Sequence, residues 1–177
     1  MERTIWQIDP THTNIMFTVR HMVVAKVHGR FSRFQGEVTL AEDGSLAGAM
    51  AEIETASIDT QVADRDNHLR SADFFDAETY PRITFRSTQV EKVGDDRYQM
   101  RGLLEMHGVE KEVILDTEYL GRAQDPFGNE RVAFSARTTI DRRDFGLTWN
   151  QALETGGILV GEKVEITLDV QAIPKAG

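Results

Sequence analysis

The sequence predicts an all-β fold, an eight-stranded antiparallel barrel with a short helical insertion near residues 60–76. Three observations carry this expectation. Apolar residues recur at every second position through most of the chain, the spacing of a sheet with one buried face. Turn-forming groups separate the runs, namely Asp43-Gly44, Gly94-Asp95-Asp96, His107-Gly108 and Gly128-Asn129, and such short connections make consecutive strands antiparallel neighbours. Roughly eight strands laid flat would leave long exposed edges, and closing the sheet removes them.

Taken in order, Ile15, Phe17, Val19 and His21 share one face of the first long run, and Phe34, Val38 and Leu40 share a face of the next, apart from Gly36. Less regular strands fit around Ala47 to Ile58, Ile83 to Val90 and Lys111 to Leu120. Tyr98, Met100, Gly102, Leu104 and Met106 form another face, as do Val132, Phe134, Ala136, Thr138, Ile140 and Arg142. Val164, Ile166, Leu168 and Val170 alternate with Lys163, Glu165, Thr167 and Asp169 and close the chain. Two segments break this period. Thr60 to Ser71 has helical character, with Asp59 or Thr60 as N-cap and Val62, Leu69 and Ala72 on one side. Ser71 would cap a further turn through Phe74-Phe75 that stops before Pro81. Phe145 to Gly161 reads as a long connection holding Trp149, Gly156-Gly157 and Ile158-Leu159-Val160. Both breaks are placed to cover a barrel mouth.

The 177 residues suit one domain spanning 1–177, because ~100–200 residues is the usual single-domain range. A formal charge of −9 argues against nucleic acid, whose binding needs Lys and Arg on phosphates, and against simple adsorption to anionic lipid. With no cysteine, thiolate nucleophiles, disulfides and Cys-based metal sites are excluded. The five histidines, His12, His21, His28, His68 and His107, form no HxH, HxxH or HExxH motif, so no metal site is expected. The first residues lack a basic and then apolar leader, and no run approaches the ~20 apolar residues of a membrane span. The expected location is the cytoplasm, or outside it if a leader has been trimmed, with no stable membrane insertion.

An eight-stranded barrel either fills with side chains or holds one small ligand. The inward series offers small residues, Gly102, Ala136 and Thr138, beside Phe and Met, and this favours a cavity. Its candidate wall combines strand residues Phe17, Val19, Phe34, Phe85, Met100, Leu104 and Phe134 with Leu69, Phe74, Phe75, Phe145, Trp149 and Ile158 from the two breaks. For any one of these, ordinary core packing is an equal reading; as a group the extra aromatics in the breaks point to a cover. Candidate contacts for a polar end of a ligand are His21, Arg65, His68 and Arg142; for His21, which shares a face with Phe17 and Val19, the alternative is a hydrogen-bonded core histidine. For Arg65 the alternative is fastening, together with Asp66, of the helix to the barrel rim; for Arg142 it is a salt bridge to a rim carboxylate. Asp64 and His68 stand at i,i+4, but no third group at a recognisable spacing completes an acid–base site.

Several blocks together carry a resemblance. They are WQIDPTHTNIMFTVRHM (6–22), Gly29 with Phe31, Phe34 and Gly36, SIDTQVADRDNHLRSADFFDAETYPRITF (57–85), HGVEK (107–111) and IDRRDFG (140–146). In this order they resemble the YceI-like family from Trp6 to about Val170. The resemblance implies a lipocalin-like barrel that holds a polyisoprenoid lipid, such as a quinone or prenyl phosphate, as a non-catalytic binding or carrier protein and as a homodimer. It implies no cofactor beyond that lipid. Glu105, Glu110 and Arg143 depart from the residues usual in the family and bear on the head group. A hydrolase or isomerase using the same cavity, with His21, His68 or Asp64 as acid or base, is the alternative.

Overall fold

The computed structural model describes residues 2–151, 153 and 159–175. Its strands follow the period-two runs: β1 (Thr4–Ile8), β2 (Asn14–His21), β3 (Ala25–Phe31), β4 (Phe34–Leu40), β5 (Leu46–Glu54) and β6 (Ile58–Asp59) come before the helix α1 (Ala63–Arg70). After it come β7 (Arg82–Lys92), β8 (Arg97–Met106), β9 (Val109–Gln124), β10 (Glu130–Asp141) and β11 (Val160–Pro174). Every neighbouring pair is antiparallel.

Eleven strand segments make a closed barrel of eight, because three are continuations of a neighbour in the chain. β1 and β2 are halves of one barrel strand, broken by a 3-10 turn at Pro10–His12. Proline has no N–H to donate to a ladder, and the Asp9 side chain caps the turn by accepting from the Thr11 N–H at 3.1 Å. β3 and β4 are halves of the next, separated by Ser32 and Arg33, and β6 continues β5 after the turn Thr55–Ser57. The long last strand closes the ring. One edge of β11 pairs with β10, while the other pairs with β2 over Val164 to Asp169 and with β1 over Ala172 to Pro174.

The alternation buries the faces expected. On β8, Tyr98, Met100, Leu104 and Met106 are buried, and on β10 so are Val132, Phe134, Ala136 and Ile140. These residues divide between two clusters. At the end where β4 meets β5, β7 meets β8 and β9 meets β10, Trp6, Leu40, Leu46, Tyr98, Met100, Val132 and Phe134 pack into a continuous core. At the other end Ile15, Phe31, Ile53, Ile83, Leu104, Met106, Ile140, Phe145 and Leu147 form a second cluster, beneath α1 and the connection after β10.

The helical insertion is shorter than the sequence suggests. α1 covers eight residues, Val62 occupies its N-cap without a side-chain bond, and the chain then runs through turns to Tyr80. Asp66 does the work expected of a cap from inside the helix: it is buried and accepts from the Thr60 backbone N–H at 2.8 Å and from the Thr60 hydroxyl at 2.5 Å. Helix propensity alone would not hold so short a segment. Arg70 also fastens it, donating to the carbonyls of Ala56 and Ile58 at 2.8 and 3.1 Å.

Candidate functional site

Between the second cluster and its cover lies a cavity of about 170 Å³ whose surface is wholly apolar. Its wall draws Ile15, Phe17 and Val19 from β2, Phe31 from β3, Ala51 and Ile53 from β5, and Ile83 and Phe85 from β7. Leu104, Met106, Val113, Leu115, Thr138 and Ile140 continue it through β8, β9 and β10, and Val160, Val164, Ile166 and Leu168 complete it on β11. Leu69, Phe74, Phe75 and Leu147 lie over the end.

Glycines keep this half hollow. Phe17 pairs in register with Gly29, and a Cβ added at Gly29 would stand 2.2 Å from the tip of the Phe17 ring. Phe85 likewise lies across Gly102, where an added Cβ would come within 2.5 Å of its ring. Each ring therefore occupies the space that a side chain on the facing residue would take, and the lumen beside it stays open.

The cover is held by hydrogen bonds and ring contacts. The Phe74 and Phe75 N–H groups donate to the carbonyls of Ser71 and Leu69, both at 3.0 Å, and Phe75 meets the Phe31 ring edge-on at 6.1 Å. The HGV and DFG motifs lock the two covering segments together. His107 Nδ1 lies 3.0 Å from the Phe145 carbonyl oxygen, an acceptor only, so this nitrogen carries the proton. The His107 ring packs against Tyr80 at 5.0 Å. Gly108, at φ +73°, leaves room for the Tyr80 ring, and Gly146, at φ +76°, ends the turn directly beneath His107.

Of the candidate wall residues, Phe17, Val19, Leu69, Phe74, Phe75, Phe85 and Leu104 line the cavity. Met100 and Phe134 sit in the filled end, and Phe34 bridges the two clusters from the side. Phe145 is fully buried behind the wall, and Trp149 packs on Phe74 at 5.2 Å from outside. Ile158 lies outside the described residues. Ile53, Ile83, Val113 and Leu147 also line the cavity, although their sequence signal is weak. Ile53 and Ile83 pair with one another across β5 and β7, where the alternation is weaker, and Leu147 stands in a connection with no period to betray it.

The four candidate head-group residues occupy different environments. Arg142 lies on the cavity wall and is 4% exposed, yet its donors face away. Nη1 donates to the Leu147 and Trp149 carbonyls at 2.6 and 3.0 Å, Nε to Gly161 at 2.8 Å and Nη2 to Val160 at 3.2 Å. Burial pulls its pKa below the usual value. Its partners are thus backbone carbonyls, rather than the carboxylate considered from sequence, and they tie both ends of the connection to the barrel. Arg65 is turned to Thr60, with Nε 2.7 Å from the hydroxyl and Nη2 2.8 Å from the carbonyl, the fastening alternative. His68 pairs with Asp73 at 2.9 Å, not with Asp64, and its ring is edge-on to Phe74 and Trp149 at 5.1 and 4.7 Å. His21 is half-buried at the end of β2 opposite Val160 and is not on the wall. Among the described residues no group of three or more His, Cys, Asp or Glu could hold a metal ion.

Comparison with known proteins agrees with this architecture. The model of the YceI-like domain matches residues 6–172. The chain is 36% identical over 168 residues to a UPF0312 protein of Staphylococcus epidermidis, covering 92% of this chain and 93% of that one. With a UPF0312 protein of Vibrio cholerae it shares 36% over 137 residues, 77% and 72% of the two chains. The crystal structure of a Campylobacter jejuni YceI protein superposes with a TM-score of 0.75 at 29% identity, over 89% of this chain and 90% of that one. A polyisoprenoid binding domain from Saccharophagus degradans shares the fold at 16% identity, with a TM-score of 0.70 over 96% and 98%. The family model spans almost the whole barrel, from β1 into β11, and the protein belongs to the YceI-like domain family.

Proposed function

We propose that the protein is a non-catalytic carrier that holds a polyisoprenoid lipid in the covered cavity and acts as a homodimer. The observation that carries this reading is a wall with no polar surface, closed at one end by a packed core and covered at the other by Leu69, Phe74 and Phe75. Such a site selects apolar matter and offers nothing to orient a polar substrate. The ionisable residue on the wall, Arg142, already gives its donors to four carbonyls. This speaks for binding rather than for the hydrolase or isomerase alternative, which needs an acid or base within reach of a substrate proton. The Saccharophagus degradans domain, described as polyisoprenoid binding, supports the choice of ligand class.

Energetics favour carriage over trapping. Burying each CH₂ is worth ~0.8 kcal/mol against water, so a chain of about forty carbons would nominally exceed the ~18–21 kcal/mol ceiling on non-covalent affinity. Ordering the chain offsets part of that gain, and a lipid that starts in a bilayer gains little by changing one apolar medium for another. Exchange is then close to balanced. Size adds a condition. An apolar void of about 150 Å³ accepts a molecule the size of benzene, so a cavity of about 170 Å³ takes a long chain only when Phe75 and its neighbours move aside.

Native mass spectrometry of the purified protein, followed by solvent extraction and mass analysis, tests the reading. A stoichiometric prenyl lipid on a dimer is the expected result. Clean apo protein that also fails to take up added prenyl lipids would overturn it.

A further inference from the structure

The hairpin between β2 and β3 turns through Met22, Val23 and Val24, which are 52%, 52% and 83% exposed. Met22 and Val23 adopt φ of +54° and +69°, a conformation that suits Gly, Asn or Asp and is unfavourable for a β-branched side chain. The turn thus keeps three apolar side chains in solvent and a strained valine where glycine would relax it. A second conflict lies just below. Arg20 and Lys26 stand directly opposite one another in register, a like-charge pair that destabilises a ladder, and among the described residues neither makes an ion pair.

These conflicts share a location and a sign. From Pro10 to Gly36 the chain has four Lys and Arg residues, three His and no Asp or Glu, within a protein of formal charge −9. Two of the four are paired, Arg30 with Asp59 and Arg33 with Glu54; Arg20 and Lys26, nearest the turn, are left. On the adjoining β11, Lys163 is paired with Asp141 at 3.5 Å and Glu162 with Arg143 at 3.2 Å, so neither charge offsets that of Arg20 and Lys26, while Glu165 lies farther from the turn, beside Thr18. The turn is also joined to the cavity. Met22 donates its N–H to the Leu159 carbonyl at 2.7 Å, and the next residue, Val160, is on the cavity wall.

We infer that the β2–β3 hairpin is a membrane-docking element, in which Met22, Val23 and Val24 enter the surface of an anionic phospholipid bilayer while Arg20 and Lys26 meet its phosphates. An apolar tip with flanking cations is the composition that holds a protein reversibly at such an interface. Net charge opposes adsorption of the molecule as a whole, but screening within ~10 Å lets the local patch act alone. A second copy of this chain is a poorer occupant, since a two-fold contact would set the cationic hairpin against itself. Docking here would bring the cavity's covered end to the bilayer, and in this respect the inference deepens the carrier reading.

Co-sedimentation with phosphatidylcholine vesicles, with and without phosphatidylglycerol, tests it separately from cavity occupancy, so either reading can fail alone. Binding is expected only with phosphatidylglycerol. It should weaken with salt, fall roughly fivefold for each of Arg20→Gln and Lys26→Gln, and fall tenfold or more, on the order of one lost valine burial, for Val23→Asp with Val24→Asp. Val23→Gly separates docking from folding: it should raise Tm by relieving the positive φ while lowering vesicle affinity. The inference is overturned if phosphatidylglycerol vesicles bind no protein, or if the tip substitutions leave vesicle binding unchanged. A shift from dimer to monomer in light scattering, with vesicle binding unaltered, would overturn it in favour of self-association.

Discussion

The two ends of the barrel are built from the same strands and the same alternation, yet one is solid and the other hollow. At the solid end large inward residues meet one another: Trp6, Leu40, Leu46, Tyr98, Met100 and Phe134 fill the space between facing strands. At the hollow end Phe17 and Phe85 lie against Gly29 and Gly102 and leave the lumen free. The difference teaches that hollowness is made by where glycines stand relative to aromatic rings across a strand pair, not by a shortage of apolar side chains. The stability of the fold then rests on the solid end and on the clamps around the cover.

The largest effect that would sharpen this comparison is expected at Arg142. Arg142→Met keeps the side chain's bulk but leaves the Leu147, Trp149, Val160 and Gly161 carbonyls without their donor. At ~1–3 kcal/mol for each buried group left unmatched, the loss is expected to reach about 4 kcal/mol in urea unfolding; a loss below about 1 kcal/mol would show the clamp to be dispensable. Next is Phe134→Ala in the solid end, expected to cost ~3–4 kcal/mol through cavity formation with little effect on lipid retention.

Phe74→Ala with Phe75→Ala should give the opposite pattern, weakening retention of extracted lipid by about tenfold, the scale of one buried ring's apolar area, and lipid binding more than folding. Equal losses in both would mean that the cover is ordinary core. A closer pair lies two residues apart on β10. Ala136→Ile overpacks the solid end and should destabilise by ~1–3 kcal/mol, whereas Thr138→Ile grows into the cavity and should cost less than about 1 kcal/mol while reducing lipid uptake. Similar costs at both positions would erase the distinction between the ends.

The smallest effect is on pH dependence. Burial raises the Asp9 pKa, but hydrogen bonds from Arg131, Thr11 and His12 outweigh it and hold the carboxyl well below the carboxylate range. Arg143 does the same for Asp141, which also accepts its backbone N–H. Both folded values lie below the unfolded ones, so their contribution is complete above pH ~4 and lost as the pH falls further. Asp9→Asn should flatten the decline of the urea midpoint between about pH 4 and pH 2.5. An unchanged slope would place the acid sensitivity elsewhere.

The sequence by itself determined the all-β class, the faces of β2, β8, β10 and β11, the turn positions and the pairing of neighbouring strands. Each follows from residues near in sequence: a period of two and a Gly or Asp in a tight turn act locally. Resemblance in the motif blocks then pointed to the family and its ligand class. Only the tertiary structure decided that β1 and β2 are one strand bent at Pro10, that Met100 and Phe134 are core while Leu104 and Phe85 are wall, and that the Arg142 donors turn to carbonyls. Those outcomes depend on what stands across the barrel or on another loop, and alternation reports only that a side chain points inward, not whether it meets a phenyl ring, a glycine or open space.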